Sequence, residues 1–397
     1  MKILQINKYL FPKGGSETYM FGLGTKLSSY GYDVEYWGMQ DDKNIVEDKY
    51  DSFIGNIAFD SVPLGKKITS LFSTIYSRES IKKIQKILDR FSPDIVHIHN
   101  FNYQITPSIL PEIKKRNIKI VYTAHDSQLV CPYHRLYNFQ VDKICEKCVD
   151  GDFFNSVRTK CFNGSLFKSF LGFCESRIYH SLDFYNKHFD LIICPSQFLA
   201  DLLKKQYRKP IATVHNFVDM MPSNNKEKED YILYYGRISA EKGISDIVPL
   251  FDNSKIKLKI VGSGPDMDKI RPTEFVEILG PKYNEDLFDL VRRAKFTIVP
   301  SKWYENCPMT IIESFACGTP VIGAKHSGIA ELIENGRSGY LLDFGRFDLE
   351  QQLMNVYQRD TQEMNNYCLE KYSNEFHPDI HVPKVVNLYE RVLNEGL

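Results

Sequence analysis

Apolar residues arrive along this chain in two rhythms. Short runs of strand length, at 1–6, 32–37, 95–98, 118–122 and 191–194, alternate with stretches whose apolar residues recur at helical spacing. In 17–30, Met20, Leu23 and Leu27 share one face and Gly31 closes the helix. The same spacing predicts helices over 80–91, 105–115, 166–189 and 196–206, with Ser196 as the N-cap of the last. Strands separated by helices imply a parallel sheet covered on both faces. The alternation pauses at 126–162, which is rich in Cys, Asn, Asp and aromatics and too long for an ordinary connection. It reads as a functional or metal-stapled insertion.

A polar run at 223–230, Ser-Asn-Asn-Lys-Glu-Lys-Glu-Asp, reads as a linker. Beyond it the pattern restarts, with strands expected at 231–235, 257–261, 275–279, 296–300 and 321–324 and helices at 285–294 and 309–316. The last residues, 383–397, form an amphipathic helix pattern. The sequence thus predicts two α/β domains, 1–217 and 218–375, followed by a terminal segment 376–397. A length of 397 residues agrees, since one compact core rarely exceeds roughly 250 residues.

Composition adds little except in two respects. With 43% hydrophobic and 25% charged residues the chain is an ordinary globular one, and no apolar run is long enough to predict a spanning helix. Polar Gln5, Asn7 and Lys8 interrupt the opening run, which argues against a signal peptide and for the cytosol. The zero net charge conceals 29 basic and 22 acidic residues in 1–217 against 21 and 28 in 218–397. A basic first half suggests that this half meets an anionic partner such as a membrane surface. Nine cysteines are read as reduced thiols rather than a disulfide framework.

Three segments carry chemistry. Strand 231–235 is followed by Gly236-Arg237, with Lys242-Gly243 close behind, so two cations stand at the carboxyl end of a parallel sheet, where a phosphate or diphosphate is their natural ligand. Val261-Gly262-Ser263-Gly264-Pro265 again follows a strand, and its glycines allow a nucleotide to approach closely. Asp266 is expected to cap a helix there, with Asp268 in the first turn, rather than to bind metal. In the third segment, Glu305 to Glu313, Pro308 suits the first position of a helix and Gly318 the residue after its end, giving a helix over 308–317. Its unpaired amino-terminal N–H groups would bind phosphate or sugar hydroxyls.

In this order the three segments resemble the retaining family 4 glycosyltransferases of the GT-B fold, in which two Rossmann-like domains face a central cleft. The matching pieces are Gly-Arg-x5-Gly with an internal Lys, Val-Gly-x-Gly-Pro, and Glu-x7-Glu followed by Ala-Cys-Gly-Thr-Pro. Gly14-Gly15, Pro93 to His99, and Thr123-Ala124-His125-Asp126 support the likeness in the first domain. The resemblance implies that Arg237 and Lys242 clamp the diphosphate of a nucleotide-sugar and that Glu313 binds the ribose. It implies that Glu305 faces the donor sugar beside the backbone of Asn306, Cys307, Pro308, Met309 and Thr310. Gly236, Gly262 and Gly264 would line the donor site. Gly14 and Gly15 would approach the distal phosphate, and His125 would lie near the sugar and the acceptor hydroxyl. Asn216 matches an interdomain segment and is not assigned to the site. The terminal helix would cross back to the first domain.

Also implied are transfer with retention, by same-face attack without a metal, and a saccharide acceptor, commonly lipid-linked in members that build capsule or lipopolysaccharide. No nucleic acid partner is expected. A catalytically inactive binding subunit and a nucleotide-sugar epimerase on the same fold are the alternatives.

Three further features bear on metal binding, the membrane and packing. Cys131, Cys145, Cys148 and Cys161 would suit a structural zinc that staples the insertion, with free thiols as the alternative. Segment 64–88 mixes Lys66, Lys67, Arg78, Lys82, Lys83 and Lys86 with aliphatics, the pattern of a helix lying on an anionic inner leaflet. Of His97 and His99, one is expected to point into the fold as packing.

Overall fold

The computed structural model describes residues 1–55, 75–223 and 227–394. The first domain is a parallel six-stranded sheet ordered β2-β1-β3-β4-β7-β8. Its strands are β1 (Lys2–Asn7), β2 (Asp33–Trp37), β3 (Ile95–Asn100), β4 (Lys119–Thr123), β7 (Leu191–Cys194) and β8 (Ile211–Thr213). Between β4 and β7 the insertion carries a small antiparallel hairpin, β5 (Tyr137–Asn138) with β6 (Lys143–Ile144). The second domain repeats the design in the order β11-β10-β9-β12-β13-β14. Those strands are β9 (Glu229–Tyr235), β10 (Leu258–Val261), β11 (Val276–Gly280), β12 (Ala294–Val299), β13 (Val321–Ala324) and β14 (Gly339–Leu342).

Alternation along each strand sends neighbouring side chains to opposite faces. In β1, Leu4 and Ile6 join Val96, Ile98, Ile120 and Tyr122 on one face, where helix α2 (Arg78–Phe91) adds Ile84, Ile87 and Leu88. Ile3, Ile95, Val121 and Ile193 face the other way, onto Tyr19, Leu23 and Leu27 of helix α1 (Gly15–Ser29). That second face is completed from the far end of the chain, by Val382, Val385, Tyr389 and Val392 of the terminal helix (Pro378–Asn394). In each sheet the strand order reverses once, at β1/β3 and at β9/β12. Ligands of open α/β sheets bind at the carboxyl ends of the strands that flank such a reversal.

Several elements differ from the sequence expectation. The helix expected at 105–115 is a 3₁₀ turn, Pro107–Ile109, continued by Leu110–Lys114. That at 166–189 is two helices, α3 (Leu166–Ser181) and α4 (Phe184–His188), parted where Asp183 takes a left-handed φ of 51°. No helix is capped by Asp266: only a three-residue turn, Met267–Lys269, follows, and Asp266 pairs with Lys269 at 3.0 Å. β9 starts at Glu229 and absorbs the end of the linker, of which 224–226 lie outside the described residues, as do 395–397 of the terminal helix.

Candidate functional site

Loops leaving the carboxyl ends of both sheets meet across a cleft. On the second domain, Gly236 to Gly243 follows β9 and packs against the loop after β10: Gly236 N donates to Val261 O and Ile238 N to Ser263 O, both at 3.0 Å. The glycines are demanded by this contact. A Cβ on Gly262, whose φ is +141°, would fall 1.9 Å from Gly236 O, and one on Gly264 would fall 2.0 Å from Ile238 O. Arg237 is exposed, and among the described residues no carboxylate pairs with it.

Lys242 is engaged instead, its Nζ 2.6 Å from Glu305 Oε1. The same oxygen accepts from Ser301 Oγ at 2.7 Å and from Trp303 Nε1 at 2.8 Å. Burial opposes the charge on Glu305, but Lys242 and these donors outweigh it and hold the carboxyl below its ordinary range. All three donors go to Oε1, and among the described residues Oε2 has no protein partner.

Helix α5 (Met309–Ala316) begins one residue later than expected, with Pro308 as its N-cap. Its amino end is met from the first domain by the start of α1: a Cβ on Gly15 would lie 3.6 Å from Met309 Sδ. Gly14 is extended, and a Cβ there would sit 3.5 Å from Glu17 Oε2. Within α5, Thr310 O accepts from Tyr235 OH at 2.6 Å, and burial raises the Glu313 carboxyl to about 7, moderated by the Tyr235 hydroxyl.

Two expected donor-site residues do other work with their side chains. Asn306 Nδ2 donates to Ala124 O at 2.8 Å, and its Oδ1 accepts from Ser196 Oγ at 2.5 Å, so this side chain ties the domains together. Cys307 O accepts from Asn216 Nδ2 at 2.9 Å, and Cys307 Sγ lies 3.3 Å from Asn216 N. Only the backbones of Asn306 and Cys307 remain for the role given them above. Further ties cross the cleft: Glu331 accepts from the N–H groups of Gln197 and Phe198, at 2.7 and 2.5 Å, and Tyr304 OH donates to Glu146 at 2.7 Å. Lys302 pairs with Asp142 of the insertion. Between the domains lies a cavity of about 100 Å³, walled by His125, Asp126, Arg135, Trp303, Glu305 and Asn306.

His125 stands at the end of β4, where expected, with its Nε2 2.9 Å from His99 Nδ1. Both His97 and His99 are fully buried, because residues two apart on a strand share a face; the expectation that only one points inward is corrected. Arg135, which sequence reasoning missed, stacks over Trp303 with its guanidinium carbon 5.4 Å from the ring centroid.

The insertion brings Cys131, Cys145, Cys148 and Cys161 near one another. Burial pushes the Cys148 thiol up, and the other three sulfurs add to the effect. All four are free thiols. As they stand, no three His, Cys, Asp or Glu side chains among the described residues are grouped to hold a metal ion. Of the basic stretch 64–88, residues 64–74 lie outside the described residues. In the remainder, α2 buries Ile84, Ile87 and Leu88 in the core while Lys83 and Lys86 pair with Asp51.

Comparison with known proteins agrees with this architecture. A family model described as Glycosyltransferase Family 4 matches residues 13–221, and one described as Glycosyl transferases group 1 matches 218–368. The N-acetyl-α-D-glucosaminyl L-malate synthase of Bacillus anthracis is 22% identical over 366 residues, covering 86% of this chain and 84% of that one. An uncharacterised glycosyltransferase of Methanocaldococcus jannaschii is 25% identical over 160 residues, 39% of this chain and 45% of its own. Among solved structures, sucrose-phosphate synthase from Thermosynechococcus elongatus superposes with a TM-score of 0.70 at 17% identity over 99% of both chains. HepE of Anabaena, in complex with UDP, gives 0.63 at 16% identity over 98% of this chain and 100% of that one. Two facing parallel-sheet domains of the GT-B type, each matched by its own transferase model, place this chain in glycosyltransferase family 4.

Proposed function

We propose that this glycosyltransferase takes its sugar from a nucleotide-sugar and transfers it with retention of configuration. The observation that carries the reading is the placement of Arg237 and of the α5 amino end, with Glu313 on the same helix, after strands β9 and β12 of one sheet, with Gly15 opposite; among the described residues no carboxylate pairs with Arg237. Unpaired N–H groups and a free guanidinium suit a diphosphate. Glu313 suits ribose hydroxyls, since its ionised form accepts from two of them.

In the proposed reaction the bond between the sugar's anomeric carbon and the β-phosphate oxygen breaks. An acceptor oxygen bonds to that carbon from the same face, and its proton passes to the departing phosphate. Negative charge grows on the phosphate, where Arg237 and the α5 amino end would stabilise it; Lys242 would do so on turning from Glu305 toward it. Oε2 of Glu305 is the oxygen left to meet the sugar. Thermal stabilisation by a panel of UDP-, GDP-, ADP- and dTDP-sugars, without added metal, tests the donor site. A shift for one nucleotide class is expected; no shift in folded protein favours an inactive binding subunit.

The acceptor is proposed to be a lipid-linked saccharide of surface polysaccharide synthesis, reached from the inner face of a membrane. What supports this is helix α3 (Leu166–Ser181), which turns Leu166, Phe167, Phe170 and Ile178 to solvent, with Lys168 and Arg177 exposed among them. An apolar stripe flanked by cations is suited to an anionic bilayer surface. Among the described residues no helix is long and apolar enough to cross one. Sedimentation with anionic vesicles is expected for the parent and lost in Phe167→Glu/Phe170→Glu; equal binding by both proteins counts against this face.

A further inference from the structure

The buried histidines beneath the cleft differ in how they are wired. His97 is closed on both sides, with Nδ1 2.6 Å from Tyr389 OH and Nε2 2.7 Å from Thr123 Oγ1. His99, its ring 4.3 Å from that of His97, reaches Gln5 Oε1 with Nε2 at 2.7 Å and His125 Nε2 with Nδ1 at 2.9 Å. A neutral imidazole has one N–H and one lone pair. The carboxamide oxygen of Gln5 can only accept, which puts the His99 proton on Nε2 and leaves Nδ1 as an acceptor. The proton between the two rings then belongs to His125 Nε2. By elimination His125 Nδ1 carries a lone pair; it has no partner among the described residues, and His125 walls the cavity.

We propose that Gln5 and His99 are positioning residues that fix His125 in its Nε2–H form, so that Nδ1 meets a substrate hydroxyl as a hydrogen-bond acceptor. The word substrate rests on the transferase reading; the tautomer does not. Burial favours neutral rings throughout, taking His97 and His125 down to about 3 and His99 well below its ordinary value. Tyr19 holds the arrangement still. It lies edge-on to His125 at 5.2 Å and to His99 at 5.8 Å between ring centroids, and its hydroxyl is 3.0 Å from His381 Nε2. In this form His125 has no proton to give the cleft. It orients a hydroxyl and does not act as an acid, which agrees with a reaction whose proton leaves on phosphate.

Two measurements test this on the full chain. Long-range ¹H–¹⁵N spectra of ¹⁵N-histidine-labelled protein near neutral pH, assigned by loss of signals in His99→Phe and His125→Phe, are expected to show both rings with protonated Nε2 and bare Nδ1. A protonated Nδ1 on His125 overturns the inference. Turnover is the second arm. Gln5→Glu keeps an acceptor toward His99 and Gln5→Met removes it, so Met alone is expected to lower kcat, by about tenfold, with donor KM within about twofold. Equal losses in the two variants, or none in either, overturn the positioning role. The spectra require no turnover, so a chain without transferase activity fails the second arm while its tautomer is still read.

Discussion

The two halves of the cleft hold their chemistry differently. On the second domain the relevant residues sit in short loops after β9, β10 and β12, and backbone holds them in place: Gly262 and Gly264 exist because neighbouring carbonyls stand where a Cβ would go. On the first domain the equivalent work is done by side chains that meet from separate strands, Gln5 with His99 across 94 positions and His99 with His125 across 26. Sites built from backbone leave motifs in a sequence, because glycine and proline are read locally. Sites built from cross-strand side chains leave none.

The contrast can be broken at several points. The largest effect is expected on the proposed phosphate side. Arg237→Ala and Lys242→Ala should each lower kcat about a hundredfold, the scale of losing one preorganised charge-stabilising group. Near-normal turnover in both variants would remove the clamp. Next comes Gly262→Ala, expected to cost about 3 kcal/mol by thermal or denaturant unfolding, because the obstructing Gly236 O is backbone and cannot step aside. A cost below about 0.5 kcal/mol would mean that the loop contact is not what fixes this glycine.

A third effect depends on pH. Burial raises Glu313 to about 7, so in the free protein the neutral form prevails below that value, whereas ribose hydroxyls prefer the carboxylate. Nucleotide affinity should therefore rise by about tenfold as pH climbs from 6 to 8 and then level off. Glu313→Gln should flatten that profile in titrations by calorimetry. For folding the sign is opposite. Relative to an unfolded carboxyl, the free protein loses stability as pH rises from the unfolded value toward about 7. The smallest effect is expected at Gly14→Ala. Its backbone is extended and the nearest obstacle is the end of the Glu17 side chain at 3.5 Å, so unfolding should shift by less than about 0.5 kcal/mol. Any loss of activity there would then report on ligand approach alone.

What the sequence disclosed follows the same division. The long apolar strands, the α5 boundaries to within a residue, and the Ser196 cap, whose Oγ accepts from Leu199 N at 3.2 Å, were all legible from local spacing. β8 and β14 were not, since three or four residues are too few to show a period. Asp266 looked like a cap because caps are judged from residue type, while its position is set by a backbone tie to Ile238 O at 3.2 Å. The sequence gives Asn306 a backbone role and is silent on its side chain, because nothing local reveals that Ser196 and Ala124 stand opposite it. The pairing of Lys242 with Glu305 was hidden for the same reason, although both residues belonged to recognised motifs.

The ties through Asn306 and Glu331 have a further consequence. A cavity of about 100 Å³ is well below the roughly 300–1,000 Å³ of ordinary ligand sites, so the donor proposed above would enter between the domains only once these ties had parted. On that reading binding would draw on an open minority of molecules, and the measured dissociation constant would be the intrinsic one divided by the open fraction. If one molecule in ten stands open, apparent affinity is weakened about tenfold. Cutting a latch with Asn306→Ala or Glu331→Gln would relieve that handicap and yet slow the closing that assembles the two halves. Such variants would hold the donor more tightly and turn it over more slowly, a pairing that loss of a ligand contact does not produce.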